Sequence, residues 1–236
     1  MSLDGFPYEG VSFDMDGTLY PLDHLKVHLA LRKPADLRFW MTMERVRRGV
    51  RRSHVAAEDM AAEVARQMAE ALSRPADEVA AKIDRIMDED WPWLLSKVGP
   101  FRGVRPLLDR LTALSIPFVV NSDYPGQRKI EGLGLADYPW AGVLDATACG
   151  ALKPRPEVFL AAAAALGVEA SRVLHVGDSP ELDIEGANAA GLRSVLVGRH
   201  KPDLANPAQI PTHRCRTMNA FCGAALDALT SRSTRR

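Results

Sequence analysis

Between Val104 and Val197 the chain alternates short apolar runs rich in β-formers with stretches of helical periodicity, separated by short links. That order admits few folds. Ile116 to Val120, Val143 to Ala146, Arg172 to Val176 and Ser194 to Val197 read as strands, and Tyr8 to Phe13 supplies another near the start. Val104 to Leu114, Gly126 to Leu133, Pro156 to Leu166 and Glu181 to Ala190 read as helices. Strands joined through helices must run parallel with right-handed crossovers, which leaves a sheet covered on both faces: a doubly wound α/β domain.

The segment from about Pro21 to Lys97 breaks that rhythm. Ala, Leu, Met, Arg and Glu dominate it, β-branched runs are scarce, and its apolar spacing is helical. Pro34, Ser53 and Pro75 stand where helices should begin, so three or four helices are expected. Gly99-Pro100 and Gly103 punctuate the return to the alternating pattern. The expected organisation is a core domain from residues 1–20 and 98–236, with a helical cap domain from 21–97 inserted between its first two strands.

In such a sheet, ligands bind beyond the carboxyl ends of the strands, near the point where strand order reverses. Asp14, Ser122 and Asp178 each follow a predicted strand, and Lys153 opens the loop after another. Asp14 and Asp16 are two residues apart at a strand end, a period that sends both carboxylates to one side. Such a pair needs a cation or proton between them. Magnesium, which favours hard oxygen ligands and substrate phosphate, fits that need, and Asp178 can add a further carboxylate.

Asp-Met-Asp-Gly-Thr-Leu at 14–19, Ser122, Lys153, and Gly177-Asp178 with Asp183 together resemble the four motifs of the haloacid dehalogenase-like superfamily. The likeness continues through Lys153-Pro154-Arg155-Pro156-Glu157-Val158-Phe159 and Gly186-Ala187-Asn188-Ala189-Ala190-Gly191, covering about residues 8–20 and 98–200. The chain resembles the phosphoglycolate phosphatase-like branch, whose helical cap lies between the first and second motifs.

The resemblance implies a Rossmann-like core and a Mg²⁺-dependent phosphatase acting on a small phosphate monoester. It makes Asp14 the nucleophile that forms an aspartyl-phosphate and Asp16 the general acid. The Asp14 carboxylate, the Asp16 backbone carbonyl and the Asp178 carboxylate would hold Mg²⁺. Ser122 would donate to the phosphoryl group, and Lys153 would neutralise both nucleophile and phosphate. Asp183 would orient Lys153 or a metal-bound water, Gly177 belongs to the same motif, and Thr18 would brace the turn through its hydroxyl.

One departure concerns the second motif: Ser122 is preceded by Asn121 and followed by Asp123-Tyr124-Pro125, so either Asn121 or Ser122 could face the phosphate. The reading takes Ser122. A sugar phosphomutase or haloacid dehalogenase of the same fold, and a non-catalytic regulator that binds a phosphorylated ligand, are the rival readings. Asp16 argues against the dehalogenase.

Arg45, Arg47, Arg48, Arg51, Arg52 and His54 crowd one stretch of the cap. They form either a solvated helix face or a site for an anionic substrate tail, Arg45 and Arg48 being the candidates. Trp91 and Trp93 either pack the cap or close over substrate.

Thirty basic residues balance thirty acidic ones, so no global field draws the chain to nucleic acid or an anionic membrane. No segment reaches the roughly 18 apolar residues of a membrane span, and the first residues lack a signal-peptide pattern. A small phosphorylated metabolite as partner, the cytoplasm as compartment and a monomer or homodimer are the expectations. Cys149, Cys215 and Cys222 match neither a disulfide framework nor a zinc site and read as reduced thiols. Ser-Arg-Ser-Thr-Arg-Arg at the end reads as a frayed terminus.

Overall fold

The structure is a computed structural model, and it describes residues 6–25, 27, 36–53 and 59–233. Pro34, His54 and residues 234–236 of the terminal Ser-Arg-Ser-Thr-Arg-Arg lie outside the described residues.

Six parallel strands form the sheet: β1 (Gly10–Phe13), β2 (Phe118–Ser122), β3 (Gly142–Asp145), β4 (Val173–Gly177), β5 (Arg193–Val197) and β6 (His213–Cys215). Their order is β3-β2-β1-β4-β5-β6, so the sequence of connections reverses between β1 and β4. The doubly wound architecture follows as expected, and β6 is an addition. Apolar residues occupy both faces of the central strands. Val11, Phe13, Phe118 and Val120 join one core and Val119 and Val173 the other, as a sheet covered on both sides requires.

Between β1 and the core helix that leads into β2, the described residues include α1 (Leu37–Ser53), α2 (Met60–Leu72), α3 (Ala76–Arg85) and α4 (Trp91–Val98). A π-helical turn, Ile86–Asp90, joins the last two. On α1 the buried Phe39, Met43, Val46 and Val50 recur every three or four residues, one stripe of an amphipathic helix. Ser53 does not begin a helix; it ends α1, its hydroxyl bonded to the Val50 carbonyl. The next helix is capped instead by Asp59, which accepts from the Ala62 N–H at 2.9 Å. Pro75 immediately precedes α3, near its expected place. The two connecting segments are tied together where the Phe101 N–H donates to the Leu19 carbonyl at 2.9 Å.

The remaining core helices are α5 (Val104–Ala113), α6 (Gln127–Gly132), α7 (Glu157–Leu166), α8 (Glu185–Ala189) and α9 (Met218–Ser233). The helix expected from Glu181 opens as a π-helical turn, Pro180–Ile184, with the Ser179 hydroxyl capping the Leu182 N–H before α8 continues it. No disulfide joins Cys149, Cys215 or Cys222. No helix among the described residues is long and apolar enough to cross a membrane.

Candidate active site

Asp14 leaves the end of β1 and Asp178 the end of β4, the two strands flanking the reversal of strand order. Gly17 lets these segments meet. Its φ is +95°, and a Cβ there would stand 2.5 Å from Asp178 Oδ2.

Lys153 is the hub. Its buried ammonium donates to Asp14 Oδ1 at 2.8 Å, to the Asn121 carbonyl at 2.8 Å and to Asp183 Oδ1 at 2.9 Å. Asp183 is held from its other side by the Ser179 N–H, 3.0 Å from Oδ2. Its expected contact with Lys153 is therefore present. Below it, His175 Nε2 lies 3.5 Å from Asp183 Oδ1, and Nδ1 of the same ring pairs with the Ser12 hydroxyl at 3.0 Å.

One carboxylate oxygen from each of Asp14, Asp178 and Asp183 falls within 4.8 Å of the others. Three such groups around a single ammonium carry surplus negative charge. Burial first, then the Asp183 charge, pushes Asp14 up to about 7 despite Lys153. Burial and the charges of Asp14 and Asp183 push Asp178 up to about 8. For Asp183 burial acts in the same sense, but Lys153 and His175 outweigh it and hold the group well below the carboxylate range. Burial alone would lower Lys153; Asp14, Asp183 and Asp123 reverse that and raise it.

These residues fit a divalent cation. Asp14 Oδ2 is buried and has no hydrogen-bond partner among the described residues, and it sits beside the half-buried Asp178. Both oxygens of Asp183 are already taken, which leaves it a supporting role.

Asp16 has different surroundings from those its motif suggests. Lys129, fully buried on α6, donates to both of its oxygens at 2.8 and 2.7 Å. The Tyr20 hydroxyl donates to Oδ1, and Trp91 Nε1 donates in turn to that hydroxyl at 3.1 Å. The Lys129 ammonium also lies 4.7 and 4.9 Å from the ring centroids of Trp91 and Tyr124. Asp16 still lines the cavity above Asp14.

Sequence reasoning missed Lys129, Tyr20 and Asp123 in these positions. Asp123 Oδ1 accepts the Lys153 N–H at 3.0 Å, and its Oδ2 accepts from Arg51. Arg47, 3% exposed, donates to the Asp123 carbonyl and stacks 3.7 Å from the centroid of the Tyr124 ring, whose hydroxyl donates to Glu44 at 3.1 Å. Burial opposes ionisation of Asp123, but Arg51, Arg47 and Lys153 more than offset it and lower the group. The doubtful residue of the second motif is thus the point where α1 is fastened to the core.

Ser122 Oγ accepts the Tyr124 N–H at 3.2 Å, which leaves its own proton free for another acceptor. Asn121 is level with Asp14 in the sheet register, and its buried side-chain amide has no partner among the described residues. The expected bracing of the turn through the Thr18 hydroxyl is not seen, since that group is buried without a hydrogen-bond partner among the described residues; the residue's backbone N–H bonds to the Met15 carbonyl at 3.3 Å. Trp91 is buried and packs at 4.6 Å on Trp40, whereas Trp93 is 46% exposed.

The sequence profile of the haloacid dehalogenase-like hydrolase family matches residues 8–191. The chain belongs to that family. It is 35% identical over 127 residues to the phosphoglycolate phosphatase of Rhodospirillum rubrum, covering 52% of each chain. It is 32% identical over 126 residues to the ribulose-1,5-bisphosphate 5-phosphatase of Halopiger xanaduensis, covering 52% of this chain and 50% of that one. The chain thus spans about half the length of the curated relatives it matches. Among solved structures, L-2-haloacid dehalogenase from Xanthobacter autotrophicus superposes with a TM-score of 0.65 at 16% identity, covering 92% of this chain and 97% of that one. β-Phosphoglucomutase from Clostridium difficile gives 0.63 at 18% identity, covering 97% and 100%. These two likenesses establish the shared fold.

Proposed function

We propose that the chain is a phosphatase that hydrolyses a small phosphate monoester through an aspartyl-phosphate on Asp14. The observation that carries this reading is the buried Lys153 ammonium bridging Asp14 and Asp183 beside Asp178 at the carboxyl ends of β1 and β4. A carboxylate backed by a fixed cation, with one oxygen unpartnered, suits in-line attack on a phosphoryl group already crowded with negative charge.

Asp14 attacks phosphorus, the bond from phosphorus to the ester oxygen breaks, and the departing alcohol takes a proton from Asp16. Asp16 then accepts a proton from water as that water attacks the aspartyl-phosphate, releasing phosphate and restoring Asp14. For this, Asp16 must exchange its pairing with Lys129 and Tyr20 for the substrate. Lys153 neutralises an equatorial oxygen throughout, and Ser122 or Asn121 supplies a neutral donor. Mg²⁺, held by the Asp14 and Asp178 carboxylates and the Asp16 carbonyl, would shield the phosphoryl charge from Asp14 when bound. Gly177 and Asp183 keep Lys153 in place.

Residues 21–97 serve as the cap in this reading, so a small phosphorylated metabolite is favoured over a phosphoprotein. The cavity between α1 and the strand ends, of about 610 Å³, suits such a ligand. The test is a panel of phosphate esters, including 4-nitrophenyl phosphate, assayed with Mg²⁺ and with EDTA. Metal-dependent release of phosphate from small esters is expected. No release from any ester would refute the proposal.

A further inference from the structure

The four arginines from Arg45 to Arg51 on α1 separate into two sets. Arg47 is buried against the core and Arg51 reaches the cavity, but both are paired with Asp123. Arg45 and Arg48 are exposed, line the cavity that contains Asp14 and Lys153, and make no hydrogen bond or ion pair among the described residues. They lie three residues apart on the helix, and with Met41 at i, i+4 and i+7 they form one face. Their charges are therefore available to whatever fills the cavity.

Much of the remaining wall is apolar, although Glu44, whose carboxylate accepts from the Tyr124 hydroxyl, and Arg51 also reach the cavity. Leu25, Leu37, Trp40, Met41 and Leu182 line the same space, and Leu37 and Met41 are 45% and 58% exposed. A polyhydroxylated body against these side chains would lose hydrogen bonds to water without replacing them. A hydrocarbon or aromatic body would instead gain about 25 cal/mol per Å² of apolar surface covered.

Resting on the phosphatase reading, we propose that the substrate is a phosphate monoester whose alcohol part carries an apolar or aromatic body and a second anionic group. The phosphoryl end meets Asp14 and Lys153, the body lies against the leucines and Trp40, and the second anion meets Arg45 and Arg48. This assigns Arg45 and Arg48 to specificity, leaving the chemistry to the strand ends.

Non-hydrolysable phosphonates separate this inference from the reading beneath it. Calorimetry in Mg²⁺ would compare the binding of 4-(phosphonomethyl)benzoate, benzylphosphonate and 3-phosphonopropanoate to the full chain. The aromatic carboxylate should bind roughly tenfold tighter than benzylphosphonate, the scale of a hydrogen bond to a charged group discounted for exposure. That ratio should fall toward one in Arg45→Gln/Arg48→Gln, whose side chains are exposed and whose substitution keeps helix-forming residues. It should also bind tighter than 3-phosphonopropanoate, which keeps both anions without the body.

Equal affinity for 4-(phosphonomethyl)benzoate and benzylphosphonate, or an unchanged ratio in the double variant, would overturn the anion subsite. Equal or tighter binding of 3-phosphonopropanoate would overturn the apolar body. Turnover across the ester panel, extended to 4-(phosphonooxymethyl)benzoate, is read separately. Its absence alongside an intact binding preference would refute the phosphatase reading and leave the subsite standing.

Discussion

Gly177 has no catalytic atoms, yet the geometry makes it a sensitive position. A Cβ on it would fall 2.4 Å from both Cβ and Cγ of Asp183 and 2.6 Å from Oδ2. Ordinary contact begins near 3.4 Å, so Asp183 would have to retreat by about 1 Å. It has no easy retreat. It is 2% exposed, its carboxylate is bonded to Lys153 and the Ser179 N–H, and its own N–H is bonded to the Ser179 carbonyl at 3.0 Å. Moving Oδ1 by that amount takes the 2.9 Å bond from Lys153 beyond hydrogen-bond range and releases the ammonium that steadies Asp14.

Misplacement of about 1 Å costs on the order of 100-fold in rate, and overpacking costs roughly 1–3 kcal/mol of stability. Gly177→Ala should therefore fold, melt a few degrees lower and lose about 100-fold in kcat on 4-nitrophenyl phosphate with Mg²⁺, with KM changing less. Gly167→Ala is the control. Gly167 has φ +65° with nothing within 4 Å of its would-be Cβ, so its variant should lose stability but keep kcat. A folded Gly177→Ala enzyme within about threefold of wild-type kcat would refute the argument that Asp183 positions Lys153.

Three further outcomes follow from the same site. Asp123→Asn should destabilise the chain by about 1–3 kcal/mol in denaturant titration, because it removes the negative charge facing buried Arg47 and half-buried Arg51, and adding Arg51→Met should cost less than the sum of the single changes. The metal-free protein should lose stability as pH rises from about 4 to about 8. Asp14 and Asp178 ionise near 7 and 8 when folded but near 3.8 when unfolded, so the folded state holds the extra protons and gives up their contribution as pH rises. His175, lowered by burial, pulls stability the other way only below its usual value of 6.5. Saturating Mg²⁺ should flatten that melting-temperature profile, and a steady or rising profile without metal would contradict the charge balance. In the third, EDTA should abolish phosphatase activity, Mg²⁺ should restore it, and Ca²⁺ should inhibit, since its longer, more flexible coordination misplaces the reacting groups.

What the sequence made legible was whatever topology alone decides. Asp14, Lys153, Asp178 and Asp183 belong to segments at strand ends, and a parallel sheet brings those ends together whatever the packing detail. Lys129 left no such signal. It lies on a six-residue helix too short for a reliable apolar period, and it is buried because Trp91 and Tyr124 come from elsewhere to cover it. The arginine run showed charge without direction. Only the seating of α1 on Asp123 decides that Arg47 and Arg51 are paired with that carboxylate while Arg45 and Arg48 line the cavity unpaired among the described residues. β6 is three residues within Pro-Thr-His-Arg-Cys-Arg-Thr and has neither the length nor the apolar content of a recognisable strand. At Ser53 a hydroxyl that could cap a helix start closes a helix end instead, because Asp59 serves as the cap further on.

The central claim is that Asp14 carries the phosphoryl group between two half-reactions. Acid quenching during turnover of a small monoester with Mg²⁺, followed by peptide mass spectrometry, tests it most directly. The peptide containing Asp14 should gain the mass of one phosphoryl group at that residue, and the adduct should vanish in Asp14→Asn together with turnover. Sustained turnover with the phosphoryl group on another residue, or in Asp14→Asn itself, would contradict the account.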